Sequence, residues 1–157
     1  MALKKILLAA LAVTFVGTLA HAQAPNPRAA AEAAVKYRQS AYTVLGSNFG
    51  RLGGMVSGRA PFDAKQAQTF AERVAFMATI VPEAFPANSG PDSGVATKAK
   101  AELWANQADF QKLIKDMQDK TAALSTAAKS GDLDTIKAPF GAAAASCKAC
   151  HDKYKLD

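Results

Sequence analysis

Histidine and cysteine are scarce in this chain, with two of each among 157 residues. His21 falls inside a signal-cleavage pattern at the N-terminus, which leaves an expected mature protein with one imidazole and two thiols. That set is too small for a zinc site of four N/S ligands. Period-two alternation is also missing and β-branched runs are few, which argues against a sheet. No long basic run occurs and basic residues do not interleave with aromatics, so nucleic-acid binding has no support. A run long enough to span a membrane, about 20 apolar residues, is absent as well.

The uncharged run that does occur, Ile6 to Leu19, follows Lys4 and Lys5 and leads into Ala20-His21-Ala22. A basic start, an apolar stretch and a small-x-small site describe an export signal over residues 1–22, cleaved before Gln23. A short retained anchor is the alternative. Residues 23–157 then form one domain in the periplasm. The 19 basic residues less Lys4 and Lys5 are 17, which against 13 acidic residues give a formal charge of +4. Such a surplus steers an acidic partner only weakly.

The two cysteines stand together in Cys147-Lys148-Ala149-Cys150-His151. Two Cys three apart with His directly after is the attachment signature of c-type haem. Positions 147, 150 and 151 share one helix face, so both sulfurs reach the vinyl groups of a single porphyrin while His151 reaches iron. The spacing therefore predicts one haem c, bound through two thioethers, with His151 as metal ligand. A thioredoxin-like disulfide needs a strand-loop-helix context and a helix N-terminus to lower a thiol pKa. Here the motif ends a long helical pattern. Half a zinc site is the other alternative, with its ligands packed too tightly around one ion.

Apolar residues recur at steps of three and four through four segments. The first segment follows Pro25-Asn26-Pro27 and runs to about Gly53-Gly54, with the stripe Val35, Arg38, Tyr42, Leu45, Phe49, Leu52, Val56. The second starts near Asp63, where Gln66 completes a capping box, and carries Ala67, Phe70, Val74, Met77, Val81. A turn-rich loop covers residues 86–94, and residues 95–103 read as irregular or as a short helix. The third segment begins at Asn106, carries Phe110, Leu113, Met117, Thr121, Leu124, Ala128, and stops at Gly131. The fourth opens at Asp132 and carries Leu133, Ile136, Phe140, Ala143, Ala144, Cys147, Cys150, His151, Tyr154. Pro139 predicts a kink or irregularity in its first two turns. Four such helices with short connections predict an all-α, antiparallel up-down-up-down bundle.

Arg38 is out of place on an apolar seam. A buried guanidinium costs several kcal/mol unless an anion meets it. A haem propionate is the anion at hand, with Gln39 adding a hydrogen bond; snorkelling to water is the alternative. Tyr42, one turn on, falls over the free face of the iron. The mature chain has no second His, and Met55, Met77 and Met117 read as core filling. Phe85 and Trp104 are haem-edge or core aromatics.

Three segments resemble cytochrome c′, the class II c-type cytochromes: Ala-Val-Lys-Tyr-Arg-Gln-Ser-Ala-Tyr at 34–42, Asn-Phe-Gly-Arg-Leu at 48–52, and Ala-Ser-Cys-Lys-Ala-Cys-His-Asp-Lys-Tyr at 145–154. The resemblance implies a periplasmic four-helix bundle, a homodimer, and five-coordinate high-spin haem. It implies that Arg38 and Gln39 lie at a propionate and that Tyr42 covers the vacant face. It also implies NO and CO as ligands, generally without O₂, since bound O₂ wants a hydrogen-bond donor that an apolar pocket lacks. Two positions depart from the family pattern. Lys155 stands where many members have Arg, which keeps the charge and loses the planar fork, and Pro139 interrupts an Ala-rich helix.

The expected function is gas binding with NO scavenging, alongside electron transfer, and not enzymatic catalysis. The alternative is a low-spin class II cytochrome that serves as an electron carrier with Met over iron. An enzyme would need a distal acid–base pair, and none is visible.

Overall fold

The computed structural model describes residues 26–157. The leader at 1–22 and its cleavage point lie outside the described residues. Four long helices carry the fold: α1 (Pro27–Val56), α2 (Ala64–Ile80), α4 (Gln107–Ala128) and α5 (Leu133–Tyr154), with a one-turn helix α3 (Glu102–Ala105) before α4. Each neighbouring pair runs antiparallel. Tyr37 near the start of α1 meets Glu83 just past the end of α2, Gly131 after α4 meets Ala64 at the start of α2, and Tyr154 ending α5 meets Asp109 near the start of α4. The all-α bundle is as expected from the four stripes.

Local chemistry sets most helix ends. The Asn26 side chain accepts from Arg28 N–H, with Pro27 in the first helical position, where a missing N–H costs nothing. Asp63 caps α2 by accepting from Gln66 N–H at 2.8 Å. The expected box is half formed, because the Gln66 amide bonds the Asp63 carboxylate rather than the cap's backbone N–H. Asp132 caps α5 through Asp134 and Thr135 N–H. Gly131, with φ +69°, ends the turn after α4 in the left-handed region that favours glycine.

Three boundaries differ from expectation. Helix α1 continues past Gly53-Gly54 to Val56. Gly53 serves close packing instead: a Cβ there would stand 3.0 Å from Phe140 Cζ. Helix α4 starts at Gln107, and Asn106 turns its amide back to the Glu102 carbonyl instead of capping. Helix α5 runs unbroken through Pro139. The ring fixes φ near the helical value and removes one N–H bond, while the Asp132 cap and fully buried Ile136 hold the first turns.

The core has two parts. At one end, Leu52, Met55, Phe70, Leu124 and Ile136 pack with Ala67, Ala71, Ala128 and Ala143. At the other, Leu45, Val81, Leu103, Phe110, Ile114, Met117 and Tyr154 pack together, flanked by half-buried Tyr42, Phe85, Trp104, Cys147 and Cys150. Ile114, rather than the expected Leu113, is the fully buried member of the α4 stripe. Burying such side chains contributes about 1.5–3 kcal/mol each. Helices α1 and α5 join at the first end, where Phe49 and Phe140 stack with ring centres 4.4 Å apart. Toward the second end a cleft lies beside α5.

Candidate functional site

Cys147, Cys150 and His151 sit in the last two turns of α5. The cleft there has a volume of about 620 Å³ and is lined by Phe49, Ala144, Cys147, His151, Lys100 and Lys155 among others. Ala144 lines the cleft one turn before Cys147. Both thiols are unpaired and half-buried. Burial pushes the Cys147 thiol up. Burial, then the neighbouring Cys147 and Asp109, push Cys150 up to about 11.

These thiols are the reverse of an activated redox pair. A thiolate is favoured at a helix N-terminus and disfavoured at the C-terminal end, where the dipole is negative. The disulfide-exchange reading therefore has no electrostatic basis. The zinc reading fails on geometry: among the described residues, no group of three or more His, Cys, Asp or Glu is placed to hold a metal ion. Two thiols and one imidazole on a single helix face, with Cys147 and His151 lining the cleft, do fit a porphyrin attached through both sulfurs. Iron would then take His151 as its protein ligand.

Tyr42 faces this motif from α1. Its ring centre lies 6.3 Å from that of His151, with planes inclined at 63°. On the other side it meets Phe85 edge-on at 6.4 Å. Burial is the main cause that raises the Tyr42 phenol, with Cys150 and Cys147 adding to it. The side chain is therefore a neutral phenol near pH 7, and phenolate ligation is disfavoured. Burial, then the Lys155 ammonium, lowers the His151 imidazole.

Arg38 is 5 % exposed and does not snorkel. Its guanidinium turns into the 81–97 segment and donates to Ala84 O at 3.2 Å, Ser89 O at 2.9 Å, Ser89 Oγ at 3.4 Å and Thr97 Oγ1 at 3.2 Å. It also lies 4.7 Å from the Phe85 ring centre and 5.6 Å from that of Trp104. All four acceptors are neutral. Among the described residues, no carboxylate pairs with it. Gln39, adjacent in sequence, is exposed on α1, and its carbonyl accepts from the Thr43 hydroxyl.

Phe85 is the hub that the stripes did not reveal. Its ring contacts Tyr42, Trp104 and Phe110, and supports Arg38. Trp104 is fixed by an indole bond to Pro86 O at 3.0 Å. Both residues lie outside long helices, where periodicity gives no signal. The bonds that hold the end of α5 were also unseen. Tyr154 donates to Asp109 at 2.6 Å, and Lys153 pairs with the same carboxylate at 2.7 Å. Met55 lies in the other half of the core, while Met117 is buried and Met77 half-buried in this one.

Residues 33–155 match the family model described as Cytochrome C′. A cytochrome c′ of Alcaligenes xylosoxydans xylosoxydans is 43 % identical over 125 residues, spanning 79 % of this chain and 94 % of that protein. The structure of a cytochrome c prime from Shewanella frigidimarina is similar with a TM-score of 0.76 at 40 % identity, covering 85 % of this chain and 99 % of that one. A nitric oxide complex of a mutant cytochrome c prime from Alcaligenes xylosoxidans is similar with a TM-score of 0.73 at 40 % identity, covering 81 % and 97 %.

Proposed function

The chain belongs to the cytochrome c′ family, whose members carry covalently attached haem c, and from that premise we propose that it is a periplasmic protein that captures NO and CO. One haem is bonded through Cys147 and Cys150. The iron supplies the site where a diatomic gas binds.

The chain's own residues set the terms. His151 holds iron from one side, as the only histidine among the described residues. Tyr42 faces it as a neutral phenol and shuts out bulky ligands. Arg38, whose charge is met only by neutral acceptors, attracts a propionate at the same end of the bundle, with Gln39 beside it on α1. A nitric oxide complex is known for a relative of similar fold. The observation that carries the reading is the approach of the Tyr42 ring to the His151 imidazole, with centres 6.3 Å apart and no methionine in Tyr42's place.

Residues 1–22 serve as the export signal and 23–157 as the mature domain. Among the described residues, no helix is long and apolar enough to cross a membrane. The role is binding and buffering of NO, with electron transfer to the iron, rather than catalysis. A homodimer completes the reading: Phe76 on α2 is 65 % exposed, an apolar side chain for a second copy to cover.

The visible spectrum of the purified holoprotein tests the assignment. A high-spin ferrous spectrum that shifts with NO or CO is the expected result. A low-spin spectrum with a methionine charge-transfer band in the far red would establish the electron-carrier alternative instead.

A further inference from the structure

We propose that Tyr154 gives one electron to the haem, and its phenolic proton to Asp109, after a peroxide has oxidised that haem. The inference rests on reading the cleft beside Cys147 and His151 as the haem site.

A phenol that loses an electron becomes a strong acid. It gives the electron up readily only where a base takes the proton in the same event. The chain has three tyrosines and one tryptophan, and they differ in this respect. Tyr37 donates to Glu83 at a long 3.3 Å and stands 43 % exposed, where water competes for the bond. Tyr42 lies against His151, yet among the described residues the phenols that hydrogen-bond are those of Tyr37 and Tyr154. Trp104 donates its indole N–H to the Pro86 carbonyl, which is no base. The Arg38 guanidinium, 5.6 Å from the Trp104 ring centre, also opposes positive charge there.

Tyr154 combines burial with a base. Its ring is 3 % exposed and packs edge-on against Phe110 at 5.9 Å. It follows Cys150, one of the two sulfurs assigned to the haem, by one helical turn in the same half of the core. Its hydroxyl donates to Asp109 at 2.6 Å, the length of a charge-assisted O–H···O⁻ bond and within reach for proton transfer. The Lys153 ammonium, 2.7 Å from the same carboxylate, helps to keep it ionised. Burial, then Asp109, push the phenol up to about 12, so the proton rests on Tyr154 near neutral pH. An antiparallel bridge between Ala99 and Lys155 fixes the backbone here, with Lys100 N–H donating to Tyr154 O at 2.9 Å and Leu156 N–H to Lys98 O at 2.8 Å.

The balance is simple for a peracid, which carries its own leaving acid and needs no distal acid–base pair. The O–O bond breaks, the carboxylic acid leaves and the third oxygen stays at the haem, which is then short of two electrons. Tyr154 returns one. Its O–H bond breaks, the electron goes to the haem and the proton to the Asp109 carboxylate. A neutral phenoxyl remains on Tyr154, and half-buried Asp109 can pass the proton to water.

The test mixes ferric holoprotein with meta-chloroperoxybenzoic acid and follows the haem band optically and the radical by freeze-quench electron paramagnetic resonance. A phenoxyl signal is expected in the parent and in Tyr37→Phe, and is expected to be lost in Tyr154→Phe. In Asp109→Asn, which keeps the side chain's shape and serves if Tyr154→Phe impairs folding, the signal is expected to form about a hundredfold more slowly, as when a positioned base is removed. A phenoxyl signal that persists in Tyr154→Phe, or that is lost in Tyr42→Phe instead, would overturn the proposal. So would an unchanged rate in Asp109→Asn, a parent without radical, or a haem band that the peracid leaves unaltered. Absence of the haem band from the purified protein would instead overturn the assignment of the cleft.

Discussion

The Tyr42 ring and the His151 imidazole face each other from α1 and α5 with centres 6.3 Å apart. In the proposed site the imidazole holds the metal and the phenol limits what reaches it, so the two sides can be altered separately. Replacing Tyr42 with Ala removes the cover without touching the attachment motif. CO association with the ferrous protein, followed by flash photolysis, is expected to quicken about tenfold, equivalent to about 1.4 kcal/mol off the barrier. Tyr42→Phe keeps the ring and is expected to stay close to the parent rate.

Arg38 binds the 81–97 segment to α1 through four acceptors on three residues. Its truncation strands buried oxygens of Ala84 and Ser89 and removes support from Phe85. Arg38→Ala is expected to destabilise the holoprotein by about 3 kcal/mol in urea unfolding. Arg38→Lys is expected to recover only a minor part, because an ammonium cannot reach divergent acceptors as a planar fork does. A broadened Soret band in the Ala variant would register the loss of the proposed propionate contact as well.

Two glycines of α1 are expected to respond with opposite signs. At Gly46 a new Cβ meets nothing within 4 Å, so Gly46→Ala gains helix propensity and stabilises by about 0.5–1 kcal/mol. At Gly53 the same group stands 3.0 Å from Phe140. Gly53→Ala therefore forces the stacked rings apart and destabilises by about 1 kcal/mol after the propensity gain. Paired thermal melts check both.

The Asp109 carboxylate is held below its usual range by bonds from Lys153 and then Tyr154. A depressed value in the folded state means that its contribution is complete above the unfolded value of about 3.9 and is lost as pH falls through the lower folded value. The melting temperature is thus expected to hold steady from neutral pH to about pH 5 and then to fall in acid. In Asp109→Asn part of that acid decline disappears, while the neutral-pH melting temperature drops.

Most of the fold was legible because the bundle obeys one repeat. Apart from exposed His151, the stripes in α1, α2, α4 and α5 place their residues in buried or half-buried positions, with Ile114 rather than Leu113 fully inside, and Asp63, Gly131 and Asp132 act at the ends by short-range chemistry that sequence displays. The grouping of Cys147, Cys150 and His151 on the end of α5 was legible too, since three chemically distinctive side chains fall within five residues. What sequence concealed depends on residues far apart in the chain. Arg38 looked like a cation awaiting one anion, yet it gathers neutral acceptors 46 to 59 positions away. Gly53 resembled a helix end, because the ring that fills its space belongs to another helix. Pro139 suggested a break, and local preference yielded to the packing of Ile136. The bridge between Ala99 and Lys155 left no pattern, being a single pair of backbone exchanges between two irregular stretches.

The stack of Phe49 on Phe140 gives α1 and α5 a fixed pivot at one end only. Two rods pinned in this way respond to a load at the open end by swinging, not by sliding, and the swing is greatest where the load sits. Tyr42 stands only about 10 Å from Phe49 along α1, and Phe49 itself lines the cleft beside His151. The packing of those rings is thus a near neighbour of the site, and a tilt of α1 against α5 there registers in it directly.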